Sequence, residues 1–493
     1  MTSSTVVLAL AAPLLAVTGG LALRFVRAPR TQDIANVVVA VTTACIALAV
    51  AVDAMFFGTP AAPGTWVAVD PIAGPFLAVI AVVGLGSALV SPAYLENSHA
   101  SFFRPESARG WHYLCLHLFW AALLAIPVMG NLGIAWVIVE ATTGVSALLV
   151  AYSGRRSALE AGWKYLVLTT IGLTVALLGI VVLYSAATSE GIGLRTLSWA
   201  WLASVSDSMP HQAALTGFLL LLAGLATKIG WAPVHNWLPD AHSEAPPPIS
   251  ALLSAALLPT VMVVAWRAQI VLSPAIGSAT GLRVFQGFGI VSLAVAVPFL
   301  WRPLAWKRLL AYSSLEHMGV LALGIGFGHP LALAGVVLHM TGHAVAKSLG
   351  FWAAIPLFQI RPSARTLPVR GLLRADPGLA ATMSLSLASL SGLPPSPLFF
   401  SEVLILMGGF LSGHTAVAAV AALLLSLGFL GLAQVLVEGL LARGRGPRPE
   451  LIIGMREIKM LGIAATGLLV LLSLTTPLLP GSALVRDLTA VLP

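Results

Sequence analysis

Five fully charged side chains, Glu140, Lys228, Glu316, Lys347 and Glu402, stand inside stretches that are otherwise apolar. Near the centre of a membrane helix each such charge costs about 2.5–3.5 kcal/mol on insertion scales, so an intramembrane charge is by default a functional site. The plain alternative is a set of structural ion pairs that lock helices together, and the two roles can coexist. Burial disfavours the charged form of lysine and glutamate alike, while pairing restores it. A Lys and a Glu on separate helices that close and open can therefore take up and release a proton.

Histidines extend the set. His339, His343 and Lys347 recur at i, i+4 and i+8, which places all three on one face of a helix. Imidazole relays protons near neutral pH. The same histidines could instead be haem or metal ligands, or satisfied polar contacts, and the relay is the favoured reading. On the preceding stretch Glu316 and His317 follow Ser313 and Ser314, small hydroxyls that can hold water or bond across helices. His112 and His117 face different sides of their helix and read as structural. We expect no metal and no cofactor in this chain.

The segments that must position these groups are broken by proline. KIGWAPVHNWLPD, residues 228–240, runs an apolar helix into Pro233 and Pro239, and LSGLPPSPLFFSE, residues 390–402, repeats the event with Gly392, Pro394, Pro395 and Pro397 before Glu402. Each proline removes a backbone donor and clashes with the preceding turn. In a bilayer the freed groups are tolerated only when buried in protein or lining a wet cavity, so each break marks a path for water or ions. Independent proline kinks are the simpler alternative.

Of 493 residues, 58% are hydrophobic and 9% charged, far from the roughly 25% charged of a soluble domain. Apolar runs of spanning length predict about fourteen helices: 5–25, 34–57, 71–92, 111–129, 131–151, 164–186, 212–232, 246–271, 281–300, 307–328, 331–357, 379–412, 415–441 and 459–479. The first run, from Thr5, has no positive lead before it and reads as a retained helix, not a secretory signal. Cys45 and Cys115 stand alone in apolar runs, which leaves neither a disulfide framework nor an iron–sulfur ligand set. Any electron carrier must sit in another chain.

Placing the N-terminus outside puts twenty of the 26 Lys and Arg residues in inside segments, among them Arg24, Arg109, Lys164, Lys307, Arg361, Arg365, Arg370, Arg443, Arg445 and Arg448. The positive-inside rule then predicts a multi-pass protein of the bacterial plasma membrane with both termini outside. The net charge of +8 reflects loops that meet anionic lipid and partner subunits. No basic-aromatic pattern for nucleic acid is present.

The fold class expected is an all-α polytopic membrane protein. Paired interruptions in two halves are the mark of inverted repeats, here two five-helix units with broken helices 7 and 12. The expected divisions are 1–110, a three-helix N-terminal segment; 111–271 and 281–441, the repeats; and 442–493, the fourteenth helix.

The stretch ATKIGWAPVHNWLPDAHSEAPPPISALLS at 226–254 resembles the signature of the proton-translocating antiporter-like subunits of respiratory complex I, Mrp antiporters and membrane-bound hydrogenases. WKYL at 163–166, AYSSLEHMG at 311–319, HMTGHAVAKSL at 339–349 and SGLPPSPLFFSE at 391–402 extend the likeness over nearly all the core. AHSEAP, SSLEHMG and the Glu402 ending resemble most the F component of hydrogenase-4-type and formate hydrogenlyase complexes. The resemblance implies Glu140 paired with Lys228, a central relay through His339, His343 and Lys347, and Glu402 as the terminal exchange site. One departure stands out: where several relatives carry a lysine midway along helix eight, this chain has SAALLPTVMVVAWR at 254–267, with Pro259. The relay there would use His242, Glu316 or water, with His317 and Lys164 as further relay candidates.

The function expected from these features is proton translocation as a non-catalytic subunit of a redox-driven complex of the hydrogenase-4, formate hydrogenlyase or NADH-quinone oxidoreductase kind. Other membrane and peripheral redox subunits would be its partners. An Mrp-type sodium/proton antiporter subunit, or the coupling subunit of an inorganic-carbon uptake complex, are the alternatives. Lys228 lacks the upstream glycine loop of a nucleotide site, so ATP and NADH are not expected ligands.

Overall fold

The computed structural model describes residues 3–57, 66–96, 101–188, 193–302, 304–360, 372–441, 456–476, 482 and 485–486. Arg361, Arg365, Arg370, Arg443, Arg445 and Arg448, which carry much of the predicted orientation signal, lie outside the described residues.

Within the described residues the chain is helical, with isolated bridges at Val67–Met129 and Asn131–Ser198. It opens with α1 (Ser3–Phe25), α2 (Pro29–Phe57) and α3 (Ala73–Glu96), followed by α4 (Pro105–Ala125), α5 (Leu132–Val150) and α6 (Arg156–Ala187). A short α7 (Trp199–Val205) leads into α8 (His211–Ile229), α9 (Leu238–Glu244), α10 (Pro247–Ala251) and α11 (Leu258–Ile276). The second half contains α12 (Ser278–Leu300), α13 (Trp306–Phe327), α14 (Pro330–Trp352), α15 (Ile355–Ile360), α16 (Leu372–Ala375), α17 (Pro377–Leu390), α18 (Pro397–Leu411), α19 (Thr415–Gln434) and α20 (Arg456–Thr475).

Eleven helices of the described residues are long and apolar enough to cross a membrane, and three shorter apolar helices accompany them. α14 has spanning length but carries His339, His343 and Lys347, which lower its apolarity. The interval Pro247–Ile276 and α13 are buried along their most apolar stretches, whereas α1, α2, α6, α12 and α19 keep faces turned outward. The centre of the bundle is thus built from the polar-bearing helices, with apolar ones around them. This is what a lipid surround selects, since an unpaired polar group in hydrocarbon is costly.

Close packing needs small residues at the crossings. Where α6 meets α8, a Cβ added to Gly179 would lie 2.4 Å from Leu221 N, and one added to Gly224 would lie 2.3 Å from Ala176 N. α14 meets α18 in the same way, a Cβ on Gly408 falling 2.7 Å from Ala332 N. These contacts bring the sides of two broken spans against their neighbours.

Both predicted breaks are present. α8 stops at Gly230, in the left-handed region at φ 81°, and residues 231–237 cross to α9. The freed backbone is satisfied within the protein: Ala232 N donates to Ser292 Oγ at 3.1 Å, and Trp237 Nε1 donates to Thr227 O at 2.6 Å. The second break separates α17 from α18 over residues 391–396, with Gly392 at φ 70° and Ser396 accepting from Phe399 N at 3.3 Å as the cap of α18. At Pro259 the helix does not stop. Residues Leu252–Leu257 form a π turn that runs into α11, and that wider turn accommodates a proline whose ring would crowd a regular α-helix.

Several boundaries differ from the sequence expectation. α6 begins at Arg156, so Lys164 stands two turns inside a helix instead of at its start. Lys307, counted among the loop charges, is completely buried at the start of α13. Lys164 and Lys307 each find polar partners on α9, at Asp240 and Ser243, a contact that hydropathy along the chain does not register.

Candidate functional site

The buried charges are reached from α5 outward. Glu140 is half-buried; its Oε1 accepts from Thr170 Oγ1 of α6 at 3.0 Å, and its Oε2 has no partner among the described residues. Lys228, at the end of α8, is completely buried and makes no ion pair with Glu140 in this structure. Its ammonium donates instead to Thr143 Oγ1 at 2.8 Å and to the Tyr165 hydroxyl at 2.5 Å, and lies 4.5 Å from the centre of the Tyr165 ring. Thr143 is three residues past Glu140, on the same helix face. A hydroxyl-lined cradle one turn along from Glu140 thus holds the ammonium. Tyr165 continues the chain to Ser146 Oγ at 2.7 Å.

From Tyr165 the line meets aromatic walls. The Trp237 ring stands 4.7 Å from the Tyr165 ring, and His242 lies between Trp237 and Phe351 at 6.1 and 5.9 Å. His242 is completely buried and neither ring nitrogen has a hydrogen-bond partner among the described residues. Its carbonyl accepts from Ser250 Oγ at 2.8 Å. One turn further, in the π turn, Ser254 Oγ meets Ser314 Oγ of α13 at 2.7 Å. Within the described stretch 254–267 it is Ser254 alone that makes this reach, to Ser314 on α13.

On α13 and α14 the donors converge. Lys347 donates to Leu310 O at 2.9 Å and also to Ser313 Oγ. His343, one turn from Lys347, is buried with both ring nitrogens unpartnered, and its ring lies 5.0 Å from that of His317. His317 Nδ1 and His339 Nε2 are 3.0 Å apart, and His339 Nδ1 meets Ser401 Oγ at 2.8 Å. Ser401 precedes Glu402, and donor atoms of His317, His339 and Glu402 all lie within 4.8 Å of one another. Glu402 is half-buried, backed by Gly392 of the second break. Glu316 is 3% exposed, one carboxylate oxygen lying against Gly428 of α19 and the other without a partner among the described residues.

Lys164 sits apart from this line. It is 47% exposed and pairs with Glu160 at 2.5 Å and Asp240 at 3.6 Å. Together with Ser243, Glu244 and Arg308 these residues line a cleft of about 450 Å³ against α9. Behind the cleft Lys307 donates to Ser243 O at 2.9 Å and to Ala245 O, holding the carbonyl end of α9. His112 and His117, buried on α4, bond to Ser91 of α3 at 3.1 Å and Asn36 of α2 at 3.0 Å, and have no part in the line.

Reasoning from the sequence missed Thr143, Ser146, Tyr165, Ser250, Ser254, Ser401 and Lys307. Thr143 and Ser401 sit beside named glutamates, and Tyr165 lies inside WKYL, so position offered a cue. Hydroxyls raise no signal in a hydropathy profile, and Lys307 at the edge of an apolar run reads as a loop charge.

The family described as NADH:quinone oxidoreductase/Mrp antiporter, TM, matches residues 129–428. The chain is 33% identical over 379 residues to a hydrogenase-4 component F homolog of Methylacidiphilum infernorum, covering 76% of this chain and 79% of that one. It is 28% identical over 372 residues to NADH-quinone oxidoreductase subunit N of Desulforudis audaxviator, covering 74% and 70%. Its fold matches a chain of an archaeal respiratory membrane complex, the membrane-bound sulfane sulfur reductase, with a TM-score of 0.86 at 21% identity over 99% and 98% of the two chains. A chain of the Mrp complex from Dietzia sp. matches with a TM-score of 0.82 at 20% identity over 100% and 97%.

Proposed function

Because the chain belongs to the NADH:quinone oxidoreductase/Mrp antiporter membrane family, we propose that its buried line from Glu140 and Lys228 to Glu402 carries protons across the membrane. The chain is a proton-translocating antiporter-like subunit, and its partners are other membrane subunits of a multisubunit complex. Within that class we read it as a redox-driven pump subunit of the hydrogenase-4 or NADH-quinone oxidoreductase kind, the electron carriers sitting in partner chains. The likeness to a hydrogenase-4 component F homolog favours the first of these.

One observation carries the reading: separate hydrogen-bonded groups of buried donors and acceptors, on helices that otherwise bury apolar surface, are spaced from α5 and α8 through α13 and α14 to the second break. Protons enter at the charged cleft lined by Lys164, Asp240 and Arg308 and pass His242 towards the central groups. Thr143 and Tyr165 hold the Lys228 ammonium, and Glu140, one turn away, approaches and withdraws, so that Lys228 gains and sheds its proton. The Ser254–Ser314 contact and Ser313 carry the relay to Lys347. His343, His317 and His339 pass it on, and Glu402, half-buried at the break, exchanges it with the far side. Glu316 sets the local charge beside Lys347.

The same reading extends to the architecture: fourteen spans, in two inverted five-helix units at 111–271 and 281–441, with both termini outside. Support comes from the packing of the broken pairs. α8 lies on α6, the third span of the first unit, and α17 and α18 lie on α14, the third span of the second. The buried Lys307 removes one charge from the twenty counted on the inside.

Replacing Lys228 by Ala in the assembled complex tests the function. Proton translocation into inverted vesicles should be lost while partner redox turnover with artificial acceptors persists in part. An unchanged proton-to-electron ratio would defeat the assignment, and a sodium-dependent rate at constant pH would move it to the antiporter.

A further inference from the structure

The cluster around His339 has a second chemistry. His317 Nδ1 and His339 Nε2 face each other at 3.0 Å, close to the ~3.3 Å that separates two nitrogens bound at about 2.0–2.1 Å to one tetrahedral ion. A carboxylate oxygen of Glu402 is the third donor, all three lying within 4.8 Å. His339 has its other nitrogen on Ser401 Oγ at 2.8 Å, the outer contact that fixes the ring orientation of a metal-bound histidine. His343 adds a completely buried imidazole with no partner for either nitrogen, its ring 5.0 Å from that of His317. Two imidazoles and one carboxylate with an open fourth position suit zinc and its neighbours, not magnesium or calcium, which take oxygen donors. Glu402 is the half-buried member, so it offers the way in. Its carboxylate must swing inward from the second break, whereas the imidazoles need only a few tenths of an ångström.

We propose that His317, His339 and Glu402 form a binding site for a divalent transition-metal ion of the zinc class, and that an ion held there plugs the proton line. An ion that takes the facing lone pairs of His317 and His339 leaves none for a proton, so occupancy and relay exclude one another. The site stands on the geometry of the three donors; the block rests on the relay reading.

Binding is tested on the full chain in its purified complex, with Co²⁺ and Zn²⁺ as probes and metal content and X-ray absorption as readouts. One equivalent should bind, with two imidazoles in its first shell. His317→Asn and His339→Asn should each weaken binding at least tenfold, and Glu402→Gln should weaken it several-fold. His414→Asn, at a half-buried histidine beside Phe327, should leave it unchanged. No bound equivalent in the wild type, or a shell without imidazole, overturns the site without recourse to any variant. Wild-type stoichiometry and affinity in both histidine variants overturn it as well. Zinc added to vesicles should slow translocation at least several-fold; binding without slowing keeps the site, overturns the plug and counts against the relay through these histidines.

Discussion

The hydroxyls of Ser254 and Ser314 meet at 2.7 Å, joining the π turn that precedes α11 to the centre of α13. Ser314 is the chain neighbour of Ser313, which accepts from Lys347, so the contact leads from the π turn to the Lys347 cluster.

Ser254→Ala should slow proton translocation about fivefold, the rate equivalent of one lost hydrogen bond of about 1 kcal/mol. Ser314 keeps its bond to Leu310 O at 2.8 Å, so the fold should hold. Fluorescence quenching in inverted vesicles measures the rate. An equal loss in the Ser254→Ala/Ser314→Ala double variant would show that the two act as one link, whereas a multiplied loss would separate them.

Tyr165→Phe keeps the ring against Trp237 and removes the hydroxyl that accepts from Lys228 and meets Ser146. Translocation should fall tenfold or more, with the thermal midpoint in detergent shifted by only a few degrees. Wild-type pumping in this variant would confine Tyr165 to packing.

Lys307→Met should act on stability. Its amine holds the carbonyls of Ser243 and Ala245 in a buried setting, and each orphaned acceptor costs about 1–3 kcal/mol. A clear fall in the unfolding midpoint of the purified protein is expected. A variant as stable as the wild type would mean that the carbonyl end of α9 needs no such clasp.

Gly428→Ala probes the seat of Glu316. A Cβ there would lie 2.0 Å from Glu316 Oε1, so the carboxylate must move. Expression and assembly should survive while translocation drops several-fold, and reconstituted transport at matched protein content checks it. Full activity would show that the position of this carboxylate is free to vary.

Orientation is testable without activity. Alkaline phosphatase fused after Pro493 should be active and fused at Arg302 inactive, as N-outside, C-outside topology requires; the reverse pattern would invert the reading.

How much was legible in the chain depends on the kind of signal. The bilayer leaves a strong one: apolar runs of fixed length, prolines that must interrupt a helix, and charges too costly to be incidental. These features located the long apolar helices, both breaks and five charged residues within them, and the spacing of His339, His343 and Lys347 placed them on one face. The neighbour across a helix interface is another matter, since periodicity along one helix is silent about which partner it faces. Only the tertiary structure set Thr143 and Tyr165, not Glu140, on the Lys228 ammonium. It also joined Ser254 to Ser314, buried Lys307 behind α9 and brought His317, His339 and Glu402 from three helices to one point. The sequence determined that polar chemistry runs through a membrane bundle; packing at its small-residue crossings decided which groups can touch.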